Sequence, residues 1–413
     1  MKKVQPVMTA LRLRIAYAFL SCFIAAASLP AMAASVSTQF YLGGYVKPGT
    51  QSTFDLADLQ AFAAANPTAQ RTVSVPNSAG TGNDVYTGIS LNSFLSYFIK
   101  TDTTVPKNDL LRGYVIATGT DGYKSVFSLA ELNTAFGNQN DIIAYQLNSQ
   151  NLTTNGFARI VVPGDVKAGR WVSNLASLEV GHVPYSAGPG GVTTRFTVGG
   201  QVGSPVSYDA ASLPGTFSPS TVAVTTPPLT GTTFTGVSLW RLLNQSTIIA
   251  DPNVKNDILG KYVIATGSDG YQAVFSLGEL SPNFGNQQDL LAYANAPGSP
   301  LTSDGFARVV VPGDVAKAGR YVSNLIALEV VDAPNYVAVE CLFNWAEKIY
   351  PALFSSAGTP TGAWNGYTYR YYSSTNTYLG VSSADNHVFY IGSDGKWQDE
   401  GLLSYWLPSA ACQ

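Results

Sequence analysis

Methionine, cysteine and histidine are scarce in this sequence. Its 413 residues include three methionines, three cysteines and two histidines. All the methionines and one cysteine precede residue 34, so the rest of the chain has no methionine and keeps only Cys341 and Cys412. The histidines, His182 and His387, lie far apart in the sequence. Their spacing assembles neither a metal site nor a Ser-His-Asp triad.

Charged residues are also few, and the acidic ones outnumber the basic ones. Charged residues make up 12% of the chain, whose net charge is −3. The first 33 residues carry four Lys or Arg and no Asp or Glu, so the remainder has a net charge of −7. An acidic chain without a basic run is a poor partner for nucleic acid or for an anionic membrane surface. We therefore expect no nucleic acid among its partners.

The first 33 residues have the features of a secretory signal. Basic residues lead into an apolar run over residues 15–28, and Ala31 and Ala33 form a small-x-small cleavage site. The pattern predicts a signal peptide over residues 1–33, cut before Ala34. A retained N-terminal anchor is disfavoured, because the run is shorter than the ~18 apolar residues of a membrane span. We expect an exported protein with no membrane span after removal of the signal.

One segment of the chain occurs twice. Tyr114–Leu132 returns at Tyr262–Leu280, and residues 113–137 match residues 261–285 at 17 of 25 positions. Two copies of about 140 residues are typical of duplicated globular domains, since solenoid repeats are much shorter. The predicted order is signal peptide 1–33, repeat one 36–182, a Gly- and Pro-rich linker 183–195, repeat two 196–332 and a C-terminal domain 339–413.

Each repeat contains the tripeptide Asp-Gly-Tyr between two apolar strands, at residues 121–123 and 269–271. Asp and Gly favour a chain reversal, and we expect the tyrosine to pack against its surroundings. A catalytic aspartate is the minor alternative, because no histidine or second carboxylate is close in the sequence. The acids that follow in both repeats, Glu131 and Glu279, are predicted to lie in the first turn of a short helix.

The C-terminal domain differs from the repeats. Val339–Phe354 has apolar residues at helical spacing, which predicts an amphipathic helix. Short strands with turn residues between them then predict a β-meander. Cys341 and Cys412 bracket the domain, and in an oxidising compartment we expect them to form a disulfide. Two free thiols in a nucleophilic or metal site are the weaker alternative, because no histidine-cysteine cluster accompanies them.

Both repeats carry the same motifs in the same order. The series is a small-Gly-x-x-Leu helix entry, the Asp-Gly-Tyr hairpin, an Ala-Tyr strand, Gly-Phe-Ala-Arg-x-Val-Val-Pro-Gly and Gly-Arg-x-Val. In repeat one these five motifs lie, in order, at Thr87–Leu95, 121–123, 144–145, Gly156–Gly164 and Gly169–Val172. In repeat two they lie at Thr235–Leu243, 269–271, 292–293, Gly305–Gly313 and Gly319–Val322. The series resembles the molybdopterin-binding domain of the sulfite oxidase type. The resemblance implies an α+β fold, with two copies of that domain with mixed sheets followed by a small helix-plus-β-meander domain.

The residues that would make such a domain an enzyme are missing from both repeats. The family binds molybdenum through a cysteine, and neither repeat contains one. The family also binds the phosphate of the cofactor with basic residues. A histidine that usually precedes Gly-Phe is replaced here by Asn155 and Asp304, and a lysine that usually follows Arg-x-Val is replaced by Ser173 and Ser323. An aspartate beside a phosphate would repel it. We therefore expect no cofactor and keep molybdopterin as a minor alternative.

Four arginines of the motifs remain, and they admit two interpretations. Their planar side chains can clamp a phosphate or carboxylate. Alternatively, Arg159 and Arg308 are structural and pair with the aspartates of their own loops, Asp165 and Asp314. We favour the structural interpretation, because fold outlasts function in degenerate members of a family. The candidate ligand-binding residues are Arg159, Arg170, Asp121 and Tyr123 in repeat one and Arg308, Arg320, Asp269 and Tyr271 in repeat two.

The C-terminal domain resembles an uncharacterised domain of exported proteobacterial proteins, over Cys341–Phe354, Tyr369–Tyr372, Tyr378–Gly380 and Asp385–Val388. This resemblance implies a Gram-negative source and a periplasmic or extracellular location, but no activity. The aromatic residues of the domain form either a face that binds sugar or protein, or the core of a small domain. Its tryptophans are Trp345, Trp364, Trp397 and Trp406.

These observations favour an exported, non-catalytic binding or envelope protein, whose partner is a small anionic ligand or another envelope protein. Two alternatives remain open. One is a molybdopterin-dependent oxidoreductase, or a cofactor-binding protein, that lacks the cysteine ligand. The other is a carbohydrate-binding surface protein that uses the C-terminal aromatic residues.

Overall fold

The computed structural model describes residues 36–403 with short gaps, namely residues 48–49, 52, 106–107, 296–297, 335, 356–360, 365–366 and 383–386. The predicted signal peptide lies outside the described residues. So does the predicted disulfide, because Cys412 and the side chain of Cys341 are not among them. Both stay predictions.

The described part of repeat one contains ten strands and three α-helices. In chain order they are β1 (Gln39–Gly44), β2 (Thr53–Asp55), α1 (Leu56–Ala65), β3 (Gln70–Pro76), β4 (Asn83–Ser90), α2 (Leu91–Phe98), β5 (Gly113–Gly119), β6 (Lys124–Ser128), α3 (Leu129–Leu132), β7 (Ile142–Leu147), β8 (Gln150–Asn151), β9 (Arg159–Val161) and β10 (Leu175–His182). They form one sheet in the order β2-β1-β10-β5-β6 and another in the order β3-β4-β7-β8, with β9 also paired to β7.

Repeat two has the same elements in the same order. They are β11 (Arg195–Gly200), β12 (Val206–Asp209), α4 (Ser212–Thr216), β13 (Ser220–Ala223), β14 (Thr233–Ser238), α5 (Leu239–Gln245), β15 (Lys261–Gly267), β16 (Gln272–Ser276), α6 (Leu277–Leu280), β17 (Leu290–Asn295), β18 (Ser299–Pro300), β19 (Arg308–Val310) and β20 (Leu325–Asp332). The sheets, β12-β11-β20-β15-β16 and β13-β14-β17-β18 with β19 on β17, repeat the first topology.

The first sheet of each repeat is mixed. Strand β1 runs parallel to β10, whereas β10 and β5 are antiparallel. Repeat two has the same arrangement, with β11 parallel to β20 and β20 antiparallel to β15. The prediction of an α+β fold with mixed sheets is confirmed.

The C-terminal domain consists of helix α7 (Tyr336–Ile349) and a five-stranded antiparallel meander. Its strands are β21 (Thr361–Trp364), β22 (Tyr367–Tyr372), β23 (Thr377–Ser382), β24 (His387–Ile391) and β25 (Trp397–Leu402). The sequence pattern predicts a helix as far as Phe354, but the helix ends at Ile349. Pro351 lacks a backbone donor and disfavours helical geometry in the residue before it, which explains the earlier end.

A third apolar cluster joins the two repeats, apart from the core of each. Tyr114 and Val126 of repeat one pack in it against Tyr262 and Val274 of repeat two. The rings of Tyr114 and Tyr262 stack with centroids 4.3 Å apart, and their hydroxyl oxygens are 3.3 Å apart. All four side chains are essentially buried, so the repeats share an extensive dry contact.

The C-terminal domain packs on repeat one. The hydroxyl of Tyr41 donates to the carbonyl of Thr361 at 3.0 Å, and the hydroxyl of Thr368 donates to the Glu179 carboxylate at 2.5 Å. The described residues from 36 to 403 belong to one compact unit. Within the described ranges, no helix has both the length and the apolar character that a membrane span requires.

Candidate functional site

The two Asp-Gly-Tyr hairpins are built as turns, and their aspartates hold the turn itself. Asp121 accepts a hydrogen bond from the backbone N–H of Tyr123 at 3.0 Å, and Asp269 does the same for Tyr271. Both aspartate side chains are thereby used in local turn chemistry.

The hairpin tyrosines connect one repeat to the other. The Tyr123 hydroxyl donates to the carbonyl of Gly169 and accepts from Nδ2 of Asn256, in repeat two, at 2.9 Å. The Tyr271 hydroxyl likewise accepts from Nδ2 of Asn108, in repeat one, at 3.1 Å. These reciprocal contacts resemble those of a twofold-symmetric dimer, in which each partner offers the same patch.

Arg170 is buried between two carboxylates. Its Nη1 lies 2.7 Å from Oε2 of Glu131, and its Nη2 lies 2.6 Å from Oδ1 of Asp165. Only 1% of its surface is exposed. The guanidinium group therefore has its donors committed to the protein, so it is not available to clamp an external anion.

Arg320 makes the equivalent contacts in repeat two. It lies 2.7 Å from both the Glu279 and the Asp314 carboxylates. The expected pairs, Arg159 with Asp165 and Arg308 with Asp314, are therefore not the ones formed. Each aspartate instead pairs with the arginine that follows it, because the intervening turn brings the chain back over its own loop.

The other two arginines of the motifs differ between the repeats. Arg308 forms an ion pair with Asp304, four residues earlier. Arg159 has Asn155 at the corresponding position, and among the described residues it has no carboxylate partner. Its guanidinium carbon lies 5.8 Å from the ring of Tyr86 and 5.3 Å from the ring of Trp171. Aromatic faces thus take the place of a carboxylate around this cation.

Buried carboxylates meet where the repeats face each other. Ser276 donates to Oε1 of Glu131 at 3.1 Å, and Ser128 donates to Oε1 of Glu279 at 3.2 Å. Within its own repeat, each serine also caps the short helix that carries the glutamate, with a reciprocal capping box. Sequence reasoning identifies these glutamates only as helix-start residues, whereas they also hold the two repeats together.

Burial changes the acidity of this region. Loss of solvation raises the pKa of Glu131 to about 8, although the Arg170 charge opposes the rise. Loss of solvation also raises the pKa of Asp141 to about 7. Neither carboxylate oxygen of Asp141 has a hydrogen-bond partner among the described residues. The equivalent Asp289 is also fully buried, and desolvation raises its pKa well above the ordinary value.

This acidic cluster does not have the geometry of a metal site. Among the described residues, no three His, Cys, Asp or Glu side chains are arranged to hold a metal ion. Its cations are the two buried arginines, and the carboxylates of Glu131 and Glu279 are held by serines, backbone N–H groups and those arginines. The arrangement connects and orients the two repeats.

A groove on the C-terminal sheet has a different character. Its volume is about 440 Å³, and we call it the aromatic groove; it is lined by Tyr367, Tyr369, Tyr378, Gly380, Phe389, Ile391, Gly395 and Trp397. None of these residues is charged. Gly380 lies opposite Tyr369 on one side and Phe389 on the other, so the absence of a side chain there leaves room between the rings.

The aromatic groove lies on the face of the sheet that points away from the domain core. Along β22, the residues alternate: Thr368, Arg370 and Tyr372 are buried, whereas Tyr371 is 37% exposed. On β25, Trp397 is 48% exposed. Its ring lies 5.2 Å from that of Tyr367. The aromatic residues of this face therefore do not belong to the core of the domain.

The remaining tryptophans take other positions. Trp345 lies on α7, and its ring packs against Tyr350 with centroids 5.7 Å apart. The side chain of Trp364 and all of Trp406 lie outside the described residues. The tyrosines at alternate positions of β22, at 367, 369 and 371, are the sequence signal that points to an aromatic face.

Comparison with known proteins adds little to this geometry. No family model matches the chain, and no curated protein matches it. Among solved structures, the chain is similar to the sulfane dehydrogenase SoxCD of Paracoccus pantotrophus, with 14% sequence identity and a TM-score of 0.26, over 50% of this chain and 77% of that one. A TM-score of this size does not establish a common fold.

Proposed function

We propose that this chain is an exported, non-catalytic binding protein whose ligand is a neutral carbohydrate held in the aromatic groove. The observation that carries the proposal is the row of aromatic side chains on the solvent face of the C-terminal sheet. Trp397 keeps 48% of its surface exposed, and that exposed part of the indole contributes nothing to the stability of the domain. Such exposed aromatic surface is typical of a binding site.

The chemistry of the groove favours a sugar over other ligands. Aromatic rings offer flat apolar faces that match the C–H faces of a pyranose, while tyrosine hydroxyls can exchange hydrogen bonds with sugar hydroxyls. The lining lacks charge, so it offers no counter-charge to an ionic ligand. Its volume of about 440 Å³ lies within the ordinary range of small-molecule sites, about 300–1,000 Å³.

The repeats support this function as a scaffold. Their buried ionisable groups, including Arg170, Arg320, Glu131 and Glu279, are paired with one another across and within the repeats. A catalytic acid or base must reach a substrate, and these groups face the protein interior. We therefore assign them to structure.

We further propose that both repeats are degenerate copies of the molybdopterin-binding domain that their motifs resemble. The residues present do not fit the cofactor. Asp304 lies at the position of the family's histidine, and it already forms an ion pair with Arg308. Arg170 and Arg320 are enclosed by carboxylates, which would repel a phosphate. We derive no chemistry through this cofactor.

A glycan array on the full-length protein, produced with its own leader, tests the carbohydrate proposal. We expect neutral glycans to bind, and Trp397→Ala to lose about 2 kcal/mol, roughly thirtyfold in affinity, because an aromatic hot spot is removed. Tyr97→Ala is the matched control, since Tyr97 is 59% exposed on repeat one, away from the groove. Absence of glycan binding would remove the proposal. Stoichiometric molybdenum in the same preparation would instead favour the oxidoreductase.

A further inference from the structure

A second groove lies between the two repeats, apart from the aromatic groove. It has a volume of about 500 Å³, and we call it the inter-repeat groove. Repeat one supplies its hairpin residues Asp121 and Tyr123, together with residues 167–169, 171 and 173. Repeat two supplies residues 255–256 and 283–284. Neither repeat alone could form it.

Hydrogen bonds between the repeats fix the walls of the inter-repeat groove. Nζ of Lys167 donates to Oδ1 of Asn283 at 2.9 Å. The neighbouring backbone N–H of Val166 donates to the carbonyl of Phe284 at 2.9 Å. The Tyr123 hydroxyl, which also lines the groove, accepts from Asn256. A site that is formed before its ligand arrives loses less ordering entropy on binding.

The charge of the groove is positive in a chain that is acidic overall. Lys167 and Lys255 line it, one from each repeat, and Asp121 is its carboxylate. Among the described residues, neither lysine forms an ion pair with a carboxylate. Nζ of Lys255 lies 6.0 Å from the centre of the Tyr123 ring, which leaves its donors open to a ligand.

A further cation stands behind the groove wall. The ring of Trp171 lines the groove, and the guanidinium carbon of Arg159 lies 5.3 Å from the centre of that ring. Nε of Arg159 is buried without a hydrogen-bond partner. Because repeat one has Asn155 where repeat two has Asp304, this charge is not neutralised by a carboxylate. It adds to the positive potential that an anion meets in the groove.

The equivalent hairpin in repeat two is covered by the chain itself. Backbone N–H groups of the linker, at Gly188 and Gly190, donate to the carbonyls of Asp269 and Ser268 at 3.0 and 2.9 Å. A Cβ added to Gly270 would lie 2.1 Å from the carbonyl oxygen of Ser186, whereas one added to Gly122 would meet nothing. The duplicated unit thus has one hairpin that is closed and one that is open.

From these observations we infer that the inter-repeat groove binds a small organic anion, in which a carboxylate or phosphate is attached to a flat ring. The two lysines, one from each repeat, bind the anionic group. The rings of Trp171 and Tyr123 contact the flat part. This site is independent of carbohydrate binding, because it lies on the repeats and the aromatic groove lies on the C-terminal domain.

Isothermal titration of the full-length protein with benzoate, phenyl phosphate and benzamide tests this inference. Benzamide has the shape of benzoate without its charge. We expect benzoate and phenyl phosphate to bind at least about tenfold more tightly than benzamide, with an affinity that falls as salt is added. Equal affinity for benzoate and benzamide, or no detectable binding of either anion, overturns the inference.

Two lysine variants locate the site. Lys167→Gln and Lys255→Gln should each weaken benzoate binding about tenfold, because each removes a charge-assisted hydrogen bond. Lys396→Gln, which removes the same charge from an 80% exposed side chain on the C-terminal domain, should leave it unchanged. Because Lys255 is exposed and its Nζ lies 6.0 Å from the centre of the Tyr123 ring, its variant should retain the melting temperature of the parent. Unchanged affinity in both groove variants would exclude this site.

Discussion

The buried carboxylates predict that this protein becomes less stable as the pH rises from 5 to 8. Asp141 should make the clearest contribution to this pH dependence. Burial raises its pKa from 3.8 to about 7, so between these values the folded protein holds a proton that the unfolded chain has released. Protons therefore favour folding in this window, and the stabilisation is lost as the pH increases through the folded-state pKa.

The magnitude follows from the linkage between proton binding and folding. One proton difference changes the free energy of unfolding by about 1.4 kcal/mol per pH unit. Asp141 alone should lower it by about 2–3 kcal/mol between pH 5 and pH 7. Glu131, whose pKa is raised to about 8, acts in the same direction. The two contributions are not simply additive, because both groups interact with Arg170.

Urea denaturation at pH 5, 6, 7 and 8, followed by tryptophan fluorescence, measures this dependence. Asp141→Asn provides the matched comparison, since it has nearly the same shape and cannot titrate. Its stability should depend less steeply on pH, by about 1.4 kcal/mol per unit between pH 5 and 7. A parent protein whose stability is constant or rises from pH 5 to 8 would refute the reasoning. So would an unchanged slope in the variant.

Two further substitutions test the packing of the repeats. Arg170→Met should lower the free energy of unfolding by about 3–5 kcal/mol in urea denaturation, because it removes the guanidinium donors of the buried Glu131 and Asp165 carboxyl groups. A loss below about 1 kcal/mol would contradict the assignment of these contacts. Gly88→Ala should cost at least about 2 kcal/mol by the same measurement, since the added Cβ would lie 2.1 Å from the backbone carbonyl oxygen of Ile143. Unchanged stability would show that this close approach is relieved without cost.

The repeat architecture could be predicted because its signals are local. The recurrence of Tyr114–Leu132 indicates a duplicated unit, and the observed strands β5 and β6 flank the Asp-Gly-Tyr turn as expected. The capping of α3 by Ser128, with Glu131 in its first turn, also follows from residue types and spacing. Such features depend on neighbours within a few positions of one another.

The packing between the repeats could not be predicted, because it depends on which surfaces meet. Glu131 is identified by the sequence as a helix-start acid, and nothing in its spacing indicates that Ser276, 145 residues away, donates to it. The predicted pairs of Arg159 with Asp165 and of Arg308 with Asp314 were wrong for a related reason. Asp165 lies nearer in sequence to Arg170 than to Arg159, and the turn between them decides the partner.

The aromatic face of the C-terminal sheet could be predicted only in part. Tyrosines at alternate residues of β22 predict that they share one side of a strand. Which side faces solvent depends on where the rest of the domain packs. Thr368, on the other side of β22, is buried and bonded to repeat one, so the tyrosines face outward. The sequence therefore indicates the aromatic row, and the fold assigns it to the surface.

The duplication also explains how two copies of one unit can come to differ in role. The linker closes the repeat-two hairpin, while the C-terminal domain covers part of repeat one through Tyr41 and Glu179. Each repeat thus has a different exposed surface. Divergence at Asn155 and Asp304 then changes the charge available to a ligand.

Affinity for a neutral glycan, compared between the parent protein and Trp397→Ala, tests the central claim most directly. The glycan that gives the strongest array signal would be titrated by calorimetry into both proteins at equal concentration. The proposal predicts a loss of roughly thirtyfold in the affinity of the folded variant. Equal affinities, or no glycan that binds the parent at all, would contradict it.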